Sequence, residues 1–171
     1  MSKYLPIFLI ILSGFLPVIS FAEEAVSEEK VLIQDFVKGS FHEIKKERKG
    51  KPFIISFWSI DCTYCFKEME MFSSLKKKYP DLDVVLVSTD INLDEQVVYM
   101  VLDVTGFETE ETWVFAEDFP ARLYADVDRN WRGELPNTLF LNSKHEFQSV
   151  IGEIKPELVE KWLRYIKQEQ S

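Results

Sequence analysis

The pattern of apolar and polar residues predicts a chain in which strands and helices alternate. A break at residues 49–52 precedes the stretch 53–58, which is nearly continuous in apolar and aromatic residues. Its length suits a strand, and an unbroken apolar run of that length is typical of a strand buried on both faces of a sheet. We therefore predict a central strand over residues 53–58.

An amphipathic helix is predicted directly after this strand, over residues 63–79. Apolar residues recur there at three-residue intervals, at Phe66, Met69, Phe72 and Leu75. Three lysines occupy the last turn and Pro80 lies just beyond it, a pattern typical of a helix end. One face of this helix should therefore pack on the sheet.

A second strand and a second helix follow. Residues 83–88 predict another buried strand, and Asn92 with Glu95 three residues later predicts a capping box for a helix that runs to about Val104. The order strand, helix, strand, helix favours a parallel α/β core with helices on both faces of the sheet.

Residues 106–135 have the least regular pattern. A short strand-like stretch at 112–115 is followed by a mixed segment rich in Asp, Arg and aromatic residues, and we interpret the whole region as an insertion. Its aromatic residues either line a groove for a partner or pack in the core, and core packing is the favoured alternative: Trp113, Phe115, Phe119, Tyr124 and Trp131.

The end of the chain predicts an antiparallel hairpin and a closing helix. Residues 138–141 and 147–151 are strand-like, and a polar turn separates them. Pro156 suits the first turn of a helix, one face of which carries Leu158, Trp162, Tyr165 and Ile166. Because the hairpin adds antiparallel strands, the predicted central sheet is mixed.

The first thirty residues differ in composition from the rest. Met1-Ser2-Lys3 precedes an uncharged stretch over residues 4–22, and Ser20 and Ala22 are small residues at the positions that a signal peptidase reads. We predict a signal peptide over residues 1–22; an uncleaved membrane anchor through residues 4–22 is the alternative. Residues 23–30 are predicted to be a flexible lead-in, and residues 31–171 to form the domain.

Length and charge narrow the functional classes. At 171 residues the chain suits one well-packed domain. Its net charge is −9, and removal of residues 1–22 takes away one lysine and no acid, which leaves −10. A surface this acidic repels phosphate backbones, so we predict no nucleic-acid partner.

The two cysteines of the chain lie three residues apart, between the predicted central strand and the helix after it. At a helix N-terminus the free backbone N–H groups and the helix dipole stabilise a thiolate, so Cys62 should be the nucleophile. Cys65 lies one turn inward, where it can resolve the mixed disulfide that Cys62 forms with a substrate. The pair is therefore predicted to be a redox centre.

Three other uses of two cysteines are less favoured. A structural disulfide across so short a loop removes little entropy from the unfolded chain. Half of a zinc site would need further ligands, and His42 and His145 lack ligand spacing. Covalent haem attachment requires a histidine directly after the second cysteine, where this chain has Phe66. We predict neither a metal nor a cofactor.

The segment from Phe57 to Glu68 resembles the active-site segment of thioredoxin-like proteins of the TlpA and ResA type. The resemblance covers nearly the whole chain after residue 22. It includes Gly50-Lys51-Pro52 before the central strand and Gly133-Glu134-Leu135-Pro136-Asn137-Thr138 before the hairpin. It implies a thioredoxin-like fold and disulfide exchange with protein substrates.

The resemblance also implies roles for residues outside the cysteine pair. Pro136 should follow a cis peptide bond from Leu135 and face the cysteines, beside backbone that can pair with an extended substrate segment. Glu68 should exchange a proton with Cys65, although a glutamate there also suits the helix dipole. We expect three neighbouring side chains to contact the substrate: Trp58, Tyr64 and Leu135.

Three positions depart from the family's pattern. Asp61 stands where many relatives have a second tryptophan, and a carboxylate there opposes thiolate formation on Cys62 unless it points to solvent or caps the helix. Glu70 replaces a proline of the active-site helix. Ser56 occupies the strand position where thioredoxins proper carry a buried acid, which leaves Glu68 as the proton acceptor.

These features predict an exported, periplasmic thiol-disulfide oxidoreductase. Reduction is the favoured direction, for example in maturation of cytochrome c or of copper sites, with a membrane thiol donor that recharges the pair in an oxidising compartment. A disulfide oxidase or isomerase is one alternative. A non-enzymatic copper-binding module on the same fold is another, although the copper proteins space their cysteines one residue wider and add a histidine.

Overall fold

The computed structural model describes residues 31–109 and 111–169. These residues form six strands and five helices, in the order β1 (Leu32–Phe36), α1 (Ser40–Glu47), β2 (Phe53–Trp58), α2 (Thr63–Lys78), β3 (Val84–Ser88), α3 (Glu95–Thr105), β4 (Glu111–Phe115), α4 (Pro120–Val127), β5 (Asn137–Leu141), β6 (Phe147–Ile151) and α5 (Pro156–Glu169). The predicted signal peptide and lead-in lie outside the described residues. Within the described ranges, no helix is long and apolar enough to cross a membrane.

The six strands form one mixed sheet in the order β1-β4-β3-β2-β5-β6. The pairs β1 with β4, β4 with β3, and β3 with β2 are parallel. The pairs β2 with β5 and β5 with β6 are antiparallel, which places the predicted hairpin at one side of the sheet. The predicted mixed α/β architecture is therefore confirmed.

Strand β2 is buried along its whole length, as its apolar run predicts. Because successive side chains of a strand point to opposite faces, Ile54 and Trp58 join one apolar core, whereas Phe53, Ile55 and Phe57 join the other. Helices α2, α3 and α5 cover the first core, and α1 and α4 cover the second. Helices therefore lie on both faces of the sheet.

The first strand and helix have no counterpart in the sequence prediction. Strand β1 lies at the edge of the sheet and carries the polar residues Gln34 and Asp35, so its apolar pattern is interrupted. Helix α1 follows a left-handed residue, Gly39, and buries only Ser40, Phe41 and Ile44. Ile33 of β1 packs against the first core and Phe36 joins the second, as do Phe41 and Ile44 of α1. Both elements therefore depend on long-range packing more than on a strong local pattern.

The region interpreted as an insertion contributes an interior strand of the sheet. Strand β4 pairs with β1 on one side and with β3 on the other, and Thr112 Oγ1 donates to the carbonyl of Leu86 at 3.1 Å. Core packing is confirmed for Trp113, Phe115 and Trp131, which are buried. Tyr124 is half-buried, whereas Phe119 is exposed.

The predicted cap of α3 is wrong by two residues. Asp94 is the N-cap, and its Oδ1 accepts a hydrogen bond from the backbone N–H of Gln96 at 2.8 Å. Asn92 has a left-handed φ of 52°, and its N–H donates to the carbonyl of Phe115 at 2.7 Å. Asn92 therefore belongs to a loop tied to β4, and the helix begins after it.

Candidate active site

Cys62 and Cys65 form a disulfide at the start of α2, with an S–S distance of 2.01 Å. Cys62 is the N-cap of the helix, and its Sγ lies 3.2 Å from the backbone nitrogen of Cys65, which donates to it. Cys62 is half-buried, whereas Cys65 is buried. An incoming thiol or disulfide can therefore reach Cys62 and not Cys65.

Helix α2 provides a favourable position for a thiolate on Cys62 once the disulfide is reduced. The helix has 16 residues, with no acid in its first turn and lysines 76–78 in its last turn. The positive end of its dipole and its free backbone N–H groups point at the cysteine. This arrangement makes Cys62 the expected nucleophile.

The loop before Cys62 is held by Asp90, a residue that the sequence analysis missed. Asp90 follows β3, and its carboxylate accepts hydrogen bonds from Ser59 Oγ and from the backbone N–H of Ile60, both at 2.8 Å. Ser88 Oγ also donates to this carboxylate, at 3.2 Å. The carboxyl ends of neighbouring parallel strands meet at one edge of a sheet, a rule that could have pointed to Asp90.

Asp61 is exposed to solvent beside the nucleophile. It does not cap α2, because Cys62 holds that position. Its backbone N–H donates to Ser59 Oγ at 3.3 Å. The side chain therefore points to solvent, which is the first of the two expectations for it. Water and ions screen its charge from Cys62.

Trp58 lies beneath the disulfide loop and is completely buried. Its ring meets Phe66 edge to face, with centroids 6.4 Å apart. It therefore offers no surface to a substrate in this structure. Tyr64, between the two cysteines, is 55% exposed and presents its ring to solvent.

Glu68 is buried, with 1% of its surface exposed, one turn below Cys65 on α2. Its Oε1 accepts hydrogen bonds from Ser56 Oγ at 3.1 Å and from Thr138 Oγ1. Burial raises the pKa of this carboxyl, against the hydrogen bonds from Thr138 and Ser56, which favour the charged form. A carboxyl that holds its proton more tightly than usual thus lies on the helical face of the resolving cysteine.

The loop before β5 reaches the same edge of the sheet as the cysteines. The Leu135–Pro136 peptide bond is cis. Asn137 pairs with Phe57 in the register of β5 and β2, so Pro136 lies level with the end of β2, where the disulfide loop begins. Pro136 is buried and Leu135 is half-buried.

This loop is fixed from the other side by two aromatic residues. Trp131 Nε1 donates to the carbonyl of Glu134 at 2.9 Å. Gly133 has a left-handed φ of 97°, and a Cβ placed there would lie 2.7 Å from Tyr124 Cε2. Burial raises the pKa of Tyr124, and the negative charge of Asp90 raises it further.

The described residues, 31–109 and 111–169, contain no group of three or more His, Cys, Asp or Glu side chains that could hold a metal ion. A cavity of about 1570 Å³ lies at the opposite edge of the sheet, where β1, β3 and β4 begin. Its lining includes neither cysteine.

No family model matches this chain, and no curated protein matches its sequence. Solved structures do match. A secreted disulfide oxidoreductase of Mycobacterium tuberculosis, homologous to DsbE of E. coli, is 15% identical with a TM-score of 0.55 and covers 70% of this chain and 85% of its own. StoA of Bacillus subtilis is 24% identical with a TM-score of 0.53, over 67% of this chain and 84% of its own.

A thiol:disulfide interchange protein of the thioredoxin family from Chlorobium tepidum is 15% identical with a TM-score of 0.57. The match covers 71% of this chain and 83% of that protein. At these identities the likeness is one of fold. The chain therefore has the thioredoxin-like fold of these thiol-disulfide oxidoreductases, with a Cys-x-x-Cys disulfide, Cys62–Cys65, at the start of its second helix.

Proposed function

We propose that this protein is an exported protein-disulfide reductase that works through Cys62 and Cys65. The observation that carries the proposal is the difference in access: Cys62 is half-buried at the N-terminus of α2, whereas its partner is buried one turn inward. A nucleophile at the surface and a resolving thiol behind it are what stepwise disulfide exchange requires.

The reaction has two exchange steps. The Cys62 thiolate attacks a substrate disulfide, forms a mixed disulfide and releases one substrate sulfur as a thiolate. The Cys65 thiol then loses its proton and attacks Cys62, which restores the Cys62–Cys65 disulfide and releases the second substrate sulfur. Two electrons pass to the substrate, and its two sulfurs each gain a proton.

Glu68 is the proposed acceptor of the Cys65 proton. It lies three residues after Cys65, on the same helical face, and its hydrogen bonds to Ser56 and Thr138 fix its carboxyl in the core. A raised pKa brings a carboxyl closer to the pH at which it both accepts and returns a proton. Water has little access to this position, so a built-in acceptor is useful there.

Negative charge around the nucleophile supports the direction of reduction. Asp61 is next to Cys62, and Asp90 binds the loop two residues before it. The part-buried carboxylate of Asp90 makes a thiolate on Cys62 less stable, whereas solvent screens the charge of the exposed Asp61. The effect of Asp90 favours the disulfide form of the pair and thereby the transfer of electrons to substrates.

Substrate contacts are proposed at the surface around the disulfide. Tyr64 is exposed and Leu135 is half-buried, and the backbone beside Pro136 can pair with an extended substrate segment. Reduction of cysteines before cytochrome c or copper-site assembly is a role that such a reductase would serve. In an oxidising periplasm the pair would need a membrane thiol donor to recharge it.

The test is capture of substrates in cells with the Cys65→Ser variant. Loss of the resolving thiol should leave proteins bound to Cys62 as mixed disulfides that thiol reagents release. The matched control is the double variant Cys62→Ser/Cys65→Ser, which should capture none. If the exported, folded single variant captures no more than the control, the oxidoreductase proposal is wrong.

A second measurement decides the direction of electron flow. The purified protein is equilibrated with mixtures of reduced and oxidised glutathione, and the oxidised fraction of the pair is determined by thiol alkylation. A reductase should stay oxidised even in strongly reducing mixtures. A pair that becomes reduced as readily as that of a disulfide oxidase would contradict the proposed direction.

A further inference from the structure

An apolar groove adjoins the disulfide on the side of α3. Its cavity has a volume of about 290 Å³ and is lined by apolar residues only: Ile60, Phe66, Val97, Met100, Val101 and Val104. At about 30 Å³ for each water molecule, this volume has room for about ten waters, or for one or two apolar side chains.

The groove is continuous with the redox centre. Ile60 lies two residues before Cys62, and Phe66 directly follows Cys65. Because neighbouring Cα atoms are about 3.8 Å apart, both residues lie within about 8 Å of the cysteine pair. A polypeptide bonded to Cys62 can therefore reach the groove with the next two or three of its residues.

The α3 side of the groove exposes its apolar residues to solvent. Met100 is 57% exposed and Val104 is 67% exposed, and they lie one turn apart on the same face of α3. Apolar residues that cluster around a concavity mark a binding surface more often than scattered ones do. A methionine also adapts its shape to different side chains.

The charges around the groove restrict what it can accept. Asp61 adjoins Ile60, Asp103 adjoins Val104, and Asp94 caps α3; all three are exposed. The cation beside Phe66, Lys67, lies over the Tyr64 ring, with its Nζ 5.2 Å from the ring centroid. An acidic segment would be repelled there, whereas an apolar side chain would lose contact with water at little electrostatic cost.

We propose that this groove binds an apolar side chain of the protein substrate, two or three residues from the substrate cysteine that reacts with Cys62. The proposal rests on the proposed function and names the class of substrate sequence that the site favours. It assigns to α3 a part in substrate selection that the cysteines and the Pro136 loop do not supply.

The test measures the first exchange step alone. The Cys65→Ser variant, with Cys62 as its single thiol, reacts with peptides whose one cysteine carries thionitrobenzoate. Attack on the peptide sulfur forms the mixed disulfide and releases the coloured thiolate. The peptides differ only in the residue two positions from the cysteine. That residue is Leu, Ser or Asp. We expect the Leu peptide to react about fivefold faster than the Ser peptide, and the Asp peptide to be slowest.

Adding Met100→Ser and Val104→Ser to the Cys65→Ser variant should lower the reaction rate of the Leu peptide to that of the Ser peptide. Leu32→Ser is the matched control, because Leu32 is 58% exposed at the opposite edge of the sheet, where β1 begins. It should leave the Leu preference unchanged. The thionitrobenzoate disulfide of glutathione is too small to fill the groove, so its rate should be the same in all variants.

A second variant makes the test independent of lost packing. Met100→Lys should raise the rate of the Asp peptide and lower that of the Leu peptide. An unchanged Leu preference in the Met100→Ser/Val104→Ser variant would overturn the groove proposal while the reductase proposal stands. If neither the peptides nor the glutathione reagent react with Cys62, the proposed function is wrong and the groove proposal falls with it.

Discussion

Glu68 on α2 and Ser56 on β2 are hydrogen-bonded in the core, with 3.1 Å between Ser56 Oγ and Glu68 Oε1. Thr138, the residue opposite Ser56 in the register of β5 and β2, donates to the same oxygen. The buried acid of this site thus comes from the helix, and two strand hydroxyls hold it. By the family resemblance, Ser56 occupies the strand position where thioredoxins proper carry the acid on the strand itself.

The raised pKa of Glu68 predicts how stability changes with pH. Between the usual glutamate pKa of 4.5 and the raised value, the folded protein holds a proton that the unfolded chain has released. The folded state therefore binds more protons, and its free energy of unfolding should fall as the pH rises through this window. Below the window both states are protonated, and the contribution is constant.

Glu68→Gln should remove this part of the pH dependence, because the amide does not titrate. The measurement is urea unfolding of the oxidised protein at a series of pH values. Glu70→Gln is the matched control, since Glu70 is an exposed glutamate on the same helix. Parallel pH profiles for the wild type and Glu68→Gln would contradict a raised pKa for this buried carboxyl.

Glu68→Gln should also slow the resolving step. Without a carboxylate to take the proton of Cys65, release of the second substrate thiol at neutral pH should fall by about 100-fold or more. The first step, attack by Cys62, should change much less, because Cys62 is at the surface. Rapid-mixing kinetics with a disulfide peptide separate the two steps. Equal slowing of both would assign Glu68 to the scaffold instead.

Asp90→Asn should move the redox equilibrium towards the reduced pair. The substitution removes a negative charge that acts on Cys62, so the thiolate becomes more stable, and the equilibrium constant with glutathione should change by about threefold or more. The amide oxygen can still accept from the Ile60 N–H, and the amide nitrogen can donate to Ser59 Oγ, so the loop should keep its position.

Asp94→Asn is the matched control for Asp90→Asn. It removes one carboxylate charge nearby, while an asparagine keeps the cap of α3. Its effect on the glutathione equilibrium should be smaller. A shift as large as that of Asp90→Asn would mean that net charge, and not the position of Asp90, sets the equilibrium.

Local patterns in the sequence account for the elements that carry the cysteines. The apolar run of β2 and the three-residue spacing in α2 are properties of short segments, and both elements form where predicted. The cysteine pair needed no tertiary information either, because the strand before it and the helix after it are adjacent in the chain.

Contacts between distant segments could not be predicted in the same way. The carboxylate of Asp90 lies 31 residues from Ser59, and Thr138 lies 70 residues from Glu68, so both contacts follow from the register of the sheet. The stretch 112–115 is strand-like in the sequence, but the irregular pattern of the surrounding region favours an insertion. Its place between β1 and β3 follows only from the pairing of whole strands.

Gly133→Ala should destabilise the loop that leads to Pro136. Gly133 has a φ of 97°, and a Cβ there would meet the Tyr124 ring at 2.7 and 2.9 Å, so both backbone strain and overlap oppose the substitution. The expected loss is about 2–5 kcal/mol in the free energy of unfolding, from about 1–2 for the left-handed backbone and about 1–3 for the overlap. Urea unfolding measures it.

Comparison with Gly39→Ala separates the cost of the overlap with Tyr124 from the cost of the backbone strain. Gly39 has nearly the same φ, 96°, but a Cβ there would have no atom within 4 Å. This control should lower the free energy of unfolding only by the cost of the left-handed backbone, about 1–2 kcal/mol. In the reduced protein, Gly133→Ala should also slow exchange with peptide disulfides, because a displaced Tyr124 or loop disturbs the backbone beside Pro136. Equal losses of stability in the two variants would mean that Tyr124 does not hold this loop in place.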